Sequence, residues 1–128
     1  MTPSRKEHLL QPVDAYRAII DELVTEISYG VSEKLLAEKG IYSKALDDEA
    51  FNSFARSLST DQRDMLAKIL HAERVDTIHG VLAALTWWLK VGGVGLTFRG
   101  ESMPVDLSGM GLHGEHIGRQ HGWEWPRA

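Results

Sequence analysis

Residues 59–91 read STDQRDMLAKILHAERVDTIHGVLAALTWWLKV, and this stretch decides the fold. Ser59 and Gln62 have the spacing of a capping box, in which each side chain bonds the backbone N–H of the other at the start of a helix. Apolar residues then recur every three or four positions, which predicts a helix over residues 60–91 of about 48 Å. Because that is long for a chain of 128 residues, the helix either breaks near residues 73–76 or protrudes and pairs with another copy.

Two segments upstream also have helical periodicity. A first helix is predicted from Pro12, since proline suits the first helical position, and its apolar stripe could extend past Gly30. The buried face of this helix comprises Val13, Tyr16, Ile20, Leu23 and Ile27. Gly40 is a typical stop signal. A second helix is predicted from residues 47–49, whose acidic side chains favour a helix N-terminus.

The glycine content of the chain rises sharply near position 92. Nine of the twelve glycines lie at or beyond that position. Because glycine is costly inside helices and permissive in turns, residues 92–128 are predicted to be irregular or partly β. Residues 96–99 and 103–106 flank residues 100–102 in the pattern of a short hairpin.

These elements predict a single domain over residues 1–128. Its fold class is mainly α, with a bundle of three to five helices over about residues 12–91. A two-strand hairpin is barely stable in water by itself. We therefore expect the hairpin and a Gly/His/Trp-rich tail, together residues 92–128, to dock on the helical body.

Composition limits the class of partner. The net charge is −4 at pH 7, and the basic residues are scattered among acidic ones, so the clustered Lys and Arg of a nucleic-acid surface are not expected. The chain has no cysteine, which removes disulfides and cysteine-based zinc sites and fits a cytoplasmic protein. The longest apolar run, about residues 81–89, is shorter than the roughly 20 residues of a membrane span. We expect neither a nucleic-acid nor a membrane partner.

The first candidate site lies in the tail and comprises His113, Glu115, His116 and His121. Imidazole and carboxylate groups are ligands of zinc, and two histidines with a carboxylate also suit iron. The sequence alone does not identify a cofactor; if these residues form a site, its ligand would be a divalent metal such as zinc, iron, nickel or manganese. The spacing matches no specific metal signature, and the tail is not predicted to be helical. The alternative is a set of solvated or backbone-bonded histidines.

The second candidate site is a polar cluster on the long helix together with Arg119 of the tail. Residues three apart on a helix are neighbours, so Asp76 and His79 can act together, with Glu73 close by. If the tail folds back, Arg119 would pair with Glu73, Asp76 or an anionic ligand through its planar guanidinium. The two tail tryptophans would then anchor it against the tryptophans of the long helix or against the first helix. The alternative is a structural lock, in which Arg119 bridges to an acidic helix residue.

The run from Gly80 to Leu89 is apolar nearly all round, which is typical of a helix at the centre of a domain or at an interface. Small residues at positions 80, 83 and 84 allow close approach of another helix. Twofold dimers are the commonest oligomers, and a symmetric dimer would cover this surface. We predict a homodimer; the alternative is a monomer whose own tail covers the same surface.

No catalytic signature in the chain is specific. The G-x-G-x-x-G match at residues 109–114 lacks the βαβ unit of a dinucleotide site. The leading hypothesis is a small protein that acts through protein interaction or self-association. The alternative is a metal-dependent enzyme or small-ligand-binding protein with its site between residues 73–79 and 113–121. In that case histidines would hold the metal, Glu115 or Asp76 would act as base, and Arg119 would fix an anionic substrate.

Overall fold

The fold was obtained as a computed structural model that describes residues 10–26, 31–41 and 49–127. The helices of these residues are α1 (Pro12–Glu26), α2 (Val31–Lys39), α3 (Glu49–Ser57), α4 (Thr60–Lys90) and α5 (Gly111–Gln120). The strands are β1 (Thr97–Phe98) and β2 (Glu101–Ser102), which pair antiparallel. The predicted mainly helical fold with a short C-terminal hairpin is confirmed.

The start of α4 is the predicted capping box. The Ser59 N–H donates to Gln62 Oε1 at 2.9 Å, and the Gln62 N–H donates to Ser59 Oγ at 3.2 Å. The helix then runs unbroken to Lys90, so the predicted break near residues 73–76 is wrong. That segment contains neither glycine nor proline, and nothing in it interrupts the backbone hydrogen bonds. Although α4 is long, it contains many charged residues. Among the described residues, no helix is long and apolar enough to cross a membrane.

The upstream helices also begin and end at predicted signals. The first helix begins at Pro12, as expected. At the end of α2, Gly40 adopts a left-handed φ of 63° and donates its N–H to the Leu36 carbonyl at 3.0 Å. Three predicted features lie outside the described residues: the buried Ile27, the passage of the apolar stripe through Gly30 and the acidic pair at positions 47 and 48.

The chain divides into two compact units. We call residues 1–25 with 78–128 the terminal unit, and residues 26–77 the central unit. In the terminal unit, the buried apolar core comprises Ala15, Tyr16, Ile20, Leu82, Met103 and Leu112. In the central unit, the buried core comprises Leu36, Ala55 and Ala67. The candidate residues on α5 and on the C-terminal part of α4 therefore belong to the terminal unit.

The hairpin turns earlier than predicted. Thr97 pairs with Ser102 and Phe98 pairs with Glu101, so the turn residues are Arg99 and Gly100. Both have left-handed backbones, with φ of 50° and 82°, as a two-residue turn with the twist of a hairpin requires. The predicted loop over residues 100–102 is therefore wrong. Gly100 occupies the second turn position, and Glu101 and Ser102 belong to β2.

The largest difference from expectation is α5, since residues 111–120 were predicted to be irregular and are helical. The first N–H groups of this helix find side-chain acceptors outside it, one five positions upstream and one 26 positions upstream. Asp106 Oδ1 accepts the Gly111 N–H at 2.7 Å, and Thr86 Oγ1 accepts the Leu112 N–H at 3.0 Å. A Cβ at Gly118 would lie 3.2 Å from the Trp123 Cβ, so this glycine permits close packing. Tertiary contacts thus outweigh the poor helix propensity of glycine.

Candidate functional site

Helix α5 carries three of the four residues predicted as metal ligands. Glu115 and His116 are fully buried, and His113 is half-buried. His121 is the exposed residue that ends the helix. Across the described ranges, no group of three or more His, Asp or Glu side chains could hold a metal ion. The four predicted ligands therefore do not form such a group in this structure.

The Glu115 carboxylate is anchored through both oxygens. The buried Tyr16 hydroxyl of α1 donates to Oε1, and the Ser108 N–H donates to Oε2 at 2.6 Å. Burial, and then the hydrogen bond to Glu115, raise the pKa of Tyr16 far above its usual range. Tyr16 therefore stays protonated and remains a donor. This arrangement ties α5 to α1 across the core of the terminal unit.

Three histidines meet between α4 and α5. The rings of His79 and His113 contact edge to face, with centroids 5.0 Å apart and planes at 83°. Burial lowers the pKa of His116, the nearby His79 lowers it further, and the Leu23 backbone opposes this shift in part. Among the described residues, neither ring nitrogen of His116 makes a hydrogen bond of full geometry, although the Leu23 backbone lies near enough to raise its pKa; Nδ1 of His79 makes none either. The structure thus brings His79 together with two histidines of the predicted tail site.

The predicted polar cluster also includes Glu73, Asp76 and Arg119. Glu73 and Asp76 are exposed on α4, within the central unit. Arg119 pairs with Asp21 of α1, its Nε lying 2.7 Å from Oδ1. Its acidic helix partner is therefore Asp21, a residue that the sequence analysis does not single out. No local signal in the sequence distinguishes Asp21 from its acidic neighbours.

Asp21 also holds the tail. Trp125 Nε1 donates to Asp21 Oδ2 at 3.2 Å, and Arg119 Nη1 donates to the Trp123 carbonyl at 2.6 Å. The Trp125 ring meets the Tyr16 ring edge to face at 5.8 Å. Of the predicted anchoring surfaces, the tail tryptophan thus uses the first helix.

Replacing Asp21 with alanine is expected to lower the free energy of unfolding by about 1–2 kcal/mol. The substitution leaves the guanidinium of Arg119 and the indole N–H of Trp125 without their acceptor. The loss stays modest because the Asp21 side chain is 40% exposed and solvent screens the ion pair. Urea unfolding followed by tryptophan fluorescence would measure it. Glu22→Ala is the matched control, since Glu22 is the exposed next residue; an equal loss in that variant would contradict the assignment.

The C-terminal part of α4 exposes an apolar surface. On the side opposite the core, the exposed residues are Gly80, Val81, Ala84, Trp87, Trp88 and Val91. Val91 is the first residue after the end of α4. We call these six residues the α4 apolar face. The two tryptophans are 53% and 52% exposed, and their rings meet edge to face at 5.0 Å. The nearest charged residue along the helix is Lys90, whose Nζ lies 3.5 Å from Asp106 Oδ2. The described tail packs on α1 and leaves this face uncovered.

A second apolar feature lies in the central unit. It is a cavity of about 250 Å³ lined by Leu36, Phe51, Phe54, Ala55, Leu66 and Leu70. Every one of these side chains is apolar. Its described lining therefore offers apolar packing surface.

Together, these features define a small, mainly helical protein in which a buried Tyr16–Glu115 hydrogen bond joins α1 to α5 and the α4 apolar face is exposed. The chain belongs to DUF6547, a family of unknown function, and the match covers residues 10–127. No curated protein and no solved structure matches the chain.

Proposed function

We propose that this protein acts through self-association and that the α4 apolar face is its contact surface. The observation that carries the proposal is the exposure of two tryptophans and two valines on one side of a helix, with no charged residue among them. Large exposed apolar patches are typical of interaction sites. We base the proposal on this face rather than on the histidines, because a partner can reach it whereas His116 is buried.

The size of the face suits a modest, reversible interface. Its four large side chains together expose roughly 400 Å² per copy, from the usual areas of such residues. Two copies would therefore bury about 800 Å² from these residues alone, and the rim would bring the total near the lower limit of specific interfaces. We expect dimers that form at about micromolar concentration.

The tryptophans suit the centre of an interface. Tryptophan is enriched among the residues that contribute most to binding. A Cβ added at Gly92 would lie 2.5 Å from Trp88 Cε3, so the indole packs closely against this glycine. A side chain that is already held in place loses less conformational entropy when a partner covers it.

Replacing Trp88 with glutamate is expected to weaken self-association by at least about 30-fold. The substitution removes an aromatic contact and places two like charges in a symmetric interface. Sedimentation velocity over a wide range of protein concentration would measure the effect. Ile19→Glu is the matched control, because Ile19 is an apolar residue of the terminal unit, 47% exposed, on α1.

The expected result is a concentration-dependent dimer in the wild type and in Ile19→Glu, and a monomer in Trp88→Glu. Circular dichroism would verify that both variants keep their helices. A wild type that stays monomeric at every concentration would overturn the proposal. Equal weakening in the two variants would also overturn it, since the α4 apolar face would then have no special role.

A further inference from the structure

Nothing in the described part of the chain explains the glycine at position 80. It lies inside α4 and is exposed, and a Cβ built there would meet no atom within 4 Å in the described part of the chain. Glycine in a helix interior costs about 1 kcal/mol relative to alanine. Neither a turn nor a close neighbour in this fold requires the missing side chain. The cost is offset if another molecule approaches the helix backbone at this point.

The α4 apolar face has a small residue and a large residue along each edge. Gly80 and Trp87 are seven positions apart, and so are Val81 and Trp88. Seven residues are nearly two helical turns, so the members of each pair point in almost the same direction. Ala84 lies on the midline between the two edges. Each edge therefore begins with the smaller side chain and ends with an indole.

We infer that the partner at this face is a second copy of the chain, docked antiparallel with the twofold axis at Ala84. This rests on the proposed self-association. In an antiparallel dimer the same edge of the two copies comes together, running in opposite directions. Trp87 at the end of the edge in one copy therefore lies over Gly80 at the start of that edge in the other. By the same operation, Trp88 packs against Val81 of the other copy. Small residues at the crossing let the helix axes approach to about 8 Å.

A parallel dimer would match the same surfaces poorly. The twofold would then run along the helices and place Trp87 of one copy against Trp88 of the other. Gly80 would face Val81, which leaves a gap beside the crowded indoles. Voids and overpacking each cost stability in a close-packed contact. The distribution of small and large residues therefore favours the antiparallel register.

Engineered cysteines test the register directly, because the chain has none of its own. Ala84→Cys lies at the twofold axis and is expected to form a disulfide-linked dimer under mild oxidation. Val91→Cys lies seven positions away, so the two copies of this residue are about 21 Å apart along antiparallel helices. No cross-link is expected from Val91→Cys. A parallel dimer would cross-link at both positions.

Gly80→Leu provides a second test. Its Cβ finds free space in the monomer and its helix propensity is better, so at dilution the thermal stability is expected to stay equal or rise. The leucine would nevertheless fill the place of Trp87 of the other copy and weaken the dimer about tenfold or more. Ala72→Leu is the matched control, since Ala72 is an exposed small residue of α4 outside the α4 apolar face.

The outcomes separate this inference from the proposed function. A Trp88-sensitive dimer in which Val91→Cys cross-links, or in which Gly80→Leu associates like the wild type, would keep self-association and overturn the antiparallel register. A wild type that never dimerises would overturn both. Cross-linking at Ala84→Cys alone, with a weakened and still folded Gly80→Leu, is the expected result.

Discussion

Replacing Tyr16 with phenylalanine is expected to lower the free energy of unfolding by about 2–3 kcal/mol. The hydroxyl of Tyr16 donates to the Glu115 carboxylate, and Glu115 is fully buried. Phenylalanine keeps the ring and creates almost no cavity, so the loss reports the hydrogen bond itself. The cost is large because a buried carboxylate oxygen is left without a donor. Urea unfolding measured by circular dichroism would determine it.

A double-mutant cycle makes this prediction specific. Glu115→Leu removes the carboxylate, and Tyr16→Phe combined with Glu115→Leu removes both partners at once. Because the two groups interact directly, the double variant is expected to lose less than the sum of the single variants. Glu101→Gln, an exposed acidic residue of β2, serves as the surface control. Additive losses, or a loss below about 0.5 kcal/mol in Tyr16→Phe, would contradict the role assigned to this contact.

The elements that the sequence predicts correctly are those whose causes are local. The capping box needs only Ser59 and Gln62, three positions apart, and the end of α2 needs only Gly40. The start of α1 needs only Pro12. Each signal lies within one helical turn of the boundary that it determines. The same local patterns predict the apolar run on α4, although they do not tell which of its faces stays exposed.

The elements that the sequence does not predict depend on partners far along the chain. The start of helix α5 depends on Thr86 of another helix, 26 positions upstream, in addition to Asp106 five positions upstream. Its glycines carry a local signal for irregular structure, which these contacts outweigh. The partner of Arg119 is Asp21, from the opposite end of the sequence. A single sequence contains no measure of such distances.

In the candidate site, too, some features can be predicted from the sequence and others depend on distant partners. The sequence identifies His113, Glu115 and His116 as unusual, and it also identifies His79 on the long helix. The contact between His79 and His113 brings these two segments together. Glu115, however, binds Tyr16 and the Ser108 backbone, which residue type and spacing do not reveal. The chemistry of a side chain can be recognised from sequence, whereas its burial and its partners follow from the fold.

Mild acidification is expected to destabilise the terminal unit through His116. Burial lowers the pKa of His116 in the folded protein below the ordinary histidine value of 6.5. The unfolded chain keeps the ordinary pKa, so it binds a proton at a pH where the folded protein does not. Stability is therefore fully present above about pH 7 and falls as the pH drops towards the folded pKa, by up to about 1.4 kcal/mol per pH unit.

The variant that isolates this effect is His116→Leu. His79 of α4 lies near His116 and contacts His113, and Glu115 adjoins His116 along the chain; all three are unchanged in the variant. The difference between wild type and variant therefore belongs to His116. Leucine removes two buried ring nitrogens that make no hydrogen bond of full geometry among the described residues, so stability near pH 7.5 is expected to stay equal or rise.

Urea unfolding between about pH 7.5 and pH 5 would measure the dependence. The wild type is expected to lose stability steadily over this range, and His116→Leu is expected to lose distinctly less. His121→Leu is the matched control, because His121 is an exposed histidine at the end of the same helix. It should therefore keep the wild-type slope. Equal slopes in wild type and His116→Leu would show that the buried imidazole does not govern the acid response, and the loss would then have to arise from the carboxylates.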